Sequence, residues 1–247
     1  MATTKLKYKR ILLKLSGEIL EGKEGGVIDF KVLEELCREV ADVKKLGVEV
    51  AIVIGGGNIW RYRDFKDSKL DRVSSDYMGM LATIMNAMAM QDTFTRLGVD
   101  ARALSAISMP VVVGTYLRAK AMDYLKRGKV VICAGGTGSP YFTTDSAAAL
   151  RALELECDVV LKATKVDYIY DKDPMKYKDA KSFKKLTYNE VLARELQVMD
   201  LSAVSLCLEK KLPILVFNLY KKGNIARAVK GDAVGTLISG GVKKFNN

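Results

Sequence analysis

The chain has 247 residues, a formal charge of +11 and no histidine, with 49% of its residues hydrophobic and 28% charged. That balance is one of an ordinary soluble globular protein, and no apolar run approaches the roughly 18 residues of a membrane span. Without histidine, chemistry must rest on Lys, Arg, Asp, Glu, hydroxyls, backbone amides or a metal, and no Cys/His zinc pattern is available.

Four prolines and twenty glycines supply no linker, so the expectation is one α/β domain over 1–247. The N-terminal MATTKLKYKR is basic but leads into a strand-like ILLKL instead of a signal-peptide core, which predicts a cytoplasmic protein. Cys37, Cys133, Cys157 and Cys207 lie far apart without C-x-x-C and read as buried free thiols. The positive charge favours anionic partners: nucleic acid, acidic membrane surfaces or phosphorylated small molecules. The basic runs, Lys5 to Arg10 and Lys172 to Lys185, lack an aromatic ladder or a recognition-helix motif. A solvated basic face is therefore the favoured reading over a nucleic-acid site.

In chain order, RILLKL (10–15) reads as a buried strand with an anomalous Lys14 near its end. That lysine should snorkel to the surface or reach an anion in the following turn. EGKEGG (21–26) is a glycine-rich loop that either folds over a ligand or is simply mobile. Asp29 to Leu46 has the three-and-four spacing of an amphipathic helix stopped by Gly47, and VEVAIVI (48–54) is a second buried strand ending in Gly55-Gly56-Gly57-Asn58. The triple glycine matches neither the dinucleotide fingerprint nor the Walker loop. Asp71 to Leu97 is a long helix with a methionine stripe that reads as adaptable core or a subunit interface, and Asp76 stands near its start. VDARALSA (99–106), MPVVV (109–113) and a helix from Thr115 to Arg127 continue the β/α alternation.

Val130 to Leu150 reads as strand, anion-binding loop and helix. Gly135, Gly136, Thr137, Gly138, Ser139, Thr143 and Thr144 offer amides and hydroxyls to phosphate oxygens. Asp145 is an ordinary helix-start acid, a partner for lysines, or a group that handles charge during chemistry. DVVLKA (158–163) is a strand with Lys162 near its end, echoing Lys14. TKVDYIYDKDP (164–174) is a short strand pair closed by proline, or a tyrosine-lined slot for a planar base. Helices over 188–196, 200–211 and 224–229 and strands PILVF and GTLIS complete the chain. The alternation predicts a three-layer α/β/α sandwich with a mainly parallel central sheet and function at its carboxyl edge.

KLSGE (14–18), GGGN (55–58) with Arg61, DYMGMLATIMNAMAMQD (76–92), GTGSPYFTTDSAA (136–148), KATKVDYIYDKDP (162–174) and MDLSA (199–203) occur in order over essentially the whole chain. This set resembles the amino acid kinase family and, within it, the uridylate (UMP) kinase branch. The resemblance implies transfer of the ATP γ-phosphoryl group to UMP in pyrimidine nucleotide biosynthesis, with an acceptor part over about 1–150 and an ATP part over about 151–247. It assigns Lys14, Leu15, Ser16, Gly17, Gly57, Arg61, Thr164, Tyr170 and Asp173 to ATP. It assigns Gly56, Asp76, Thr137, Gly138, Ser139, Pro140, Tyr141, Phe142, Thr143 and Thr144 to UMP, with Ser139 standing where the family more often has Asn. Lys14 and Lys162 would neutralise the moving charge, while Asp145 and Asp200 would orient them and the metal-bound nucleotide. Mg²⁺ carried with ATP, a cytoplasmic homohexamer and nucleotide effectors such as GTP and UTP are also implied.

Overall fold

A run such as RILLKL, apolar on both faces, is stable only where a sheet is covered on both sides. In the computed structural model, which describes residues 6–22, 26–62, 64 and 69–240, it forms β1 (Arg10–Leu15) at the middle of the sheet. The other strands are β2 (Glu49–Ile54), β3 (Ala101–Ser105), β4 (Gly114–Thr115), β5 (Val130–Ala134), β6 (Val159–Thr164), β7 (Ile169–Tyr170), β8 (Ser182–Phe183), β9 (Lys185–Leu186), β10 (Ile214–Asn218) and β11 (Gly235–Ile238). Nine of them lie in the order β4-β3-β5-β2-β1-β6-β10-β11-β9, and β7 and β8 make a separate ribbon. All pairings in the large sheet are parallel except β10 with β11.

The helices are α1 (Phe30–Lys45), α2 (Arg72–Arg96), α3 (Arg118–Lys126), α4 (Thr144–Glu154), α5 (Tyr188–Ala193), α6 (Leu201–Glu209) and α7 (Asn224–Lys230). Strand alternation divides the core. Ile11, Leu13 and Leu15 pack with the α1, α2 and α7 layer, while Leu12 packs with α3, α4 and α6. The sandwich has the expected class.

The topology also fixes where a ligand can sit. On one side of β1 lie β2, β5, β3 and β4, all formed before the chain crosses to the other side, where β6, β10, β11 and β9 lie in turn. The strand order thus reverses between β1 and β6, the place where open α/β sheets leave a crevice at their carboxyl ends.

Two expectations are corrected. MPVVV is not part of the strand alternation: the Met109 carbonyl accepts the Val112 and Val113 N–H groups at 2.9 and 3.0 Å, closing a turn that leaves Val111 almost fully exposed. The next helix starts at Arg118 and not Thr115, because Gly114 and Thr115 pair with β3 and Tyr116 N–H donates to the Ser105 carbonyl at 2.8 Å. In the EGKEGG loop, residues 23–25 lie outside the described residues. All four cysteines are buried and free, and burial pushes the Cys37, Cys133 and Cys207 thiols up to about 12. Among the described residues no helix is long and apolar enough to cross a membrane.

Candidate active site

Lys14 and Lys162 are direct register partners across the β1–β6 pair. Register partners share a face, so both lysines point into the layer that holds α4. Two like charges held this close need an anion, and α4 brings it. Asp145 in its first turn lies 2.7 Å from the Lys14 ammonium and 2.9 Å from that of Lys162, and all three side chains are less than a fifth exposed. Lys162 also donates to the Val198 carbonyl. Of the readings open for Lys14, it neither snorkels nor meets an anion in the turn after β1; the anion comes from a helix about 130 residues later in the chain.

Burial and neighbouring charge oppose each other at Asp145 and Lys162. Burial pushes the Asp145 carboxyl upward, yet Lys14 and Lys162 together hold it below the ordinary carboxylate range. Burial lowers Lys162 and Lys14 lowers it further, with Asp145 opposing both, so Lys162 titrates below an ordinary lysine. The cluster carries one surplus positive charge, which suits a polyanion.

Two helix N-termini converge beside it. Thr143 caps α4, its hydroxyl oxygen accepting from Asp145 N–H at 3.0 Å and Ser146 N–H at 3.4 Å. Asp200 caps α6 through Ala203 N–H at 2.8 Å and also accepts from the hydroxyls of Thr143, Ser146 (2.8 Å) and Ser202 (2.6 Å). Burial raises the Asp200 carboxyl, but these hydrogen bonds outweigh it and leave it lowered. Asp200 therefore ties the two helix starts together. It reaches Lys162 only through charge, whereas Asp145 holds the lysines by contact.

The glycine loops close the site on the other side. At Gly56 a Cβ would lie 2.7 Å from both the Ala82 methyl and the Gly79 carbonyl oxygen, so only glycine lets this loop rest on α2. Arg61 donates to the Gly57 carbonyl and to Glu21 and lies 3.5 Å from Glu18. Asp76 accepts the Tyr141 N–H at 2.8 Å and pairs with Arg72 at 2.8 Å.

Two clefts flank the lysine pair. The larger, about 700 Å³, is lined by Lys14, Gly56, Gly57, Arg61, Asp76, Thr137, Phe142, Thr143, Thr144 and Asp145, among others. The smaller, about 470 Å³, is lined by Lys162, Thr164, Tyr168, Tyr170, Asp173 and the 194–198 segment. Lys14 faces one cleft and Lys162 the other, with Asp145 bridging them. Gly57 and Arg61, assigned by resemblance to ATP, share the cleft of the residues assigned to UMP. Gly138, Ser139, Pro140 and Tyr141 belong to the same loop but do not line that cleft. Leu15 is buried in β1, Ser16 caps the turn after it, Gly17 opens that turn, and Asp200 stands behind Thr143.

Several polar side chains around this centre have no assignment from the sequence. Arg72 lines the larger cleft. Buried Arg151 donates to Glu154 at 2.6 Å and more weakly to the Gly136 carbonyl at 3.3 Å. Thr83 and Asn86 are two of the four buried polar residues of α2, with Ser75 and Thr93, and only their polarity on a buried face could have drawn notice to them.

A doubly cationic, carboxylate-bridged centre between two clefts, at the switch point of an α/β sheet, is an arrangement suited to phosphorylated ligands. Residues 9–218 match the amino acid kinase family, and the chain belongs to it. Among solved structures it is similar to the UMP kinase from Bacillus anthracis, with 39% identity, coverage of 94% of this chain and 96% of that one, and a TM-score of 0.92. The UMP kinase from Ureaplasma parvum gives 36% identity, 95% and 100% coverage, and a TM-score of 0.90. The uridylate kinase from Archaeoglobus fulgidus is more distant, at 28% identity, 93% and 99% coverage and a TM-score of 0.71.

Proposed function

We propose that this chain transfers the γ-phosphoryl group of ATP to UMP, giving UDP and ADP. The observation that carries this reading is the Lys14–Asp145–Lys162 bridge between two clefts, in a fold shared over more than nine-tenths of the chain with two UMP kinases. In the reaction a UMP phosphate oxygen forms the new bond to the γ-phosphorus as the bond to the β–γ bridging oxygen breaks. The attacking oxygen is already anionic at neutral pH, so no general base is needed, and a chain without histidine loses nothing. What the step requires is positioning and neutralisation of moving charge. Lys14 on the acceptor side and Lys162 on the donor side provide it, each a compact charge that can follow the phosphoryl group.

In this reading UMP occupies the larger cleft against Asp76 and the 137–144 loop, and the ATP base lies in the smaller cleft near Tyr168 and Tyr170. The acceptor part then comprises roughly residues 1–150 and the ATP part the remainder, meeting at the β1–β6 pair. Mg²⁺ carried with ATP would supply further neutralisation of phosphate charge. Asp200, whose oxygens accept from Thr143, Ser146, Ser202 and Ala203, would act on the metal-bound nucleotide through charge. A cytoplasmic homohexamer and control by GTP and UTP belong to the same reading.

The purified protein, given ATP and Mg²⁺, is expected to turn over UMP at least about tenfold more efficiently (kcat/KM) than CMP or AMP, because a site that hydrogen-bonds one base leaves those groups unpaired with another. Preference for an amino-acid carboxylate would refute the proposal.

A further inference from the structure

The two glycine loops come from different β/α units, yet the acceptor site works only if their backbones keep a fixed separation. One turn of α2 reaches both. Thr83, only 6% exposed, accepts the Gly135 N–H at 2.8 Å through its hydroxyl oxygen and donates to the Met80 carbonyl at 2.7 Å. Three residues on, wholly buried Asn86 donates to the Gly55 carbonyl at 2.8 Å and exchanges side-chain hydrogen bonds with Asn58 at 2.8 and 3.0 Å. Gly135 has a positive φ of 72°, and a Cβ there would lie 2.8 Å from the Ser105 hydroxyl, so the end of β3 grips the residue from the opposite side.

We propose that Thr83 is a positioning residue for the phosphoryl acceptor, setting the entry to the 136–144 loop relative to the triple glycine and Lys14. The inference rests on the UMP kinase reading, but it follows from a separate observation. Helix interiors disfavour buried polar side chains, and on the buried face of α2 Thr83 and Asn86 stand one turn apart, Thr83 accepting from Gly135 and Asn86 bonded to Gly55 and Asn58. Thr83 lies on the larger cleft. Gly135 leads into the loop that lines the larger cleft, whereas the smaller cleft is built from residues 162–174, 194–198 and Val216, to which Thr83 makes no hydrogen bond.

The test is the ratio of two Michaelis constants. Thr83→Val keeps the shape but leaves the Gly135 N–H without its acceptor. It is expected to raise the UMP KM about tenfold while the ATP KM stays within about twofold, and Thr83→Ser should return both close to wild type. Should the valine variant not fold, Thr83→Cys, with its weak acceptor, is read by the same ratio. An unchanged UMP KM, a parallel rise of both constants, or a serine variant no better than valine overturns the inference. Failure of the wild-type protein to phosphorylate UMP overturns the underlying reading instead, so the two failures are distinguishable.

Discussion

At the residue scale, Asp145 carries more of the design than its place at a helix start implies. Removing one partner of a buried charge cluster leaves the others uncompensated, typically at about 3–5 kcal/mol. Asp145→Asn is therefore expected to lose about 3 kcal/mol of stability, read by denaturant unfolding, in addition to most of kcat. Lys14→Ala leaves a balanced Asp145–Lys162 pair and should spare stability while reducing kcat by about 100-fold, the scale of one lost charge stabiliser. The pH dependence follows by sign. The folded Asp145 carboxyl titrates below its unfolded value, so its stabilisation is complete above the unfolded pKa and is lost as pH falls through the folded one. Lys162 is also lowered, which costs stability while it is charged and places an alkaline limb on kcat below the usual lysine range. Since Asp145 is the group that holds Lys162 up, the residual activity of Asp145→Asn should show that limb at still lower pH. A limb that stays in place would separate Lys162 from the reaction.

At the scale of elements, α4 and α6 start at one place because Thr143 and Asp200 share a hydrogen bond while each caps its own helix. Thr143→Ala removes a cap and that shared bond together, and a drop of about 2 kcal/mol in unfolding free energy is expected. A drop below about 0.5 kcal/mol would show that the two helix starts are independent. Most elements were legible. The spacing of Val32, Leu33, Leu36, Val40 and Val43 gives α1, and the capping aspartates at 29 and 71 mark two helix starts within a residue. The strands of the lysine-rich 172–185 stretch were not, because β8 and β9 are two residues each and too short to show a period. The candidate site was legible as a set of residue types but not as an arrangement. Lys14 and Lys162 both look misplaced in their strands, yet nothing local says that they are paired in register. Ser146, Thr83 and Asn86 make contacts 28 to 56 residues away, invisible to any window.

For the molecule as a whole, the methionine stripe resolves into two faces. Met80 and Met90 are buried, while Met78, Leu81, Met85 and Met88 are exposed at spacings of three and four along α2. Such a stripe suits a helix partner from a second copy, consistent with the proposed homo-oligomer. Met85→Lys should convert the assembly to smaller species in sedimentation. A wild-type protein that sediments as a monomer would remove the basis for the proposal. This same helix carries Thr83 and Asn86 on its inner face, so the exposed methionine stripe and the contacts to the two glycine loops share one element.

The register partnership of Lys14 and Lys162 has a consequence for how the chain becomes active. Strand pairing places neighbouring chains about 4.8 Å apart, and a slip of one residue sends every side chain to the opposite face. A chain that paired β1 with β6 one position out would drive a lysine into the greasy layer under α1 or α2 and strand its partner without Asp145. Correct pairing of these two strands, formed by segments about 150 residues apart, is thus also what brings the Lys14–Asp145–Lys162 cluster together.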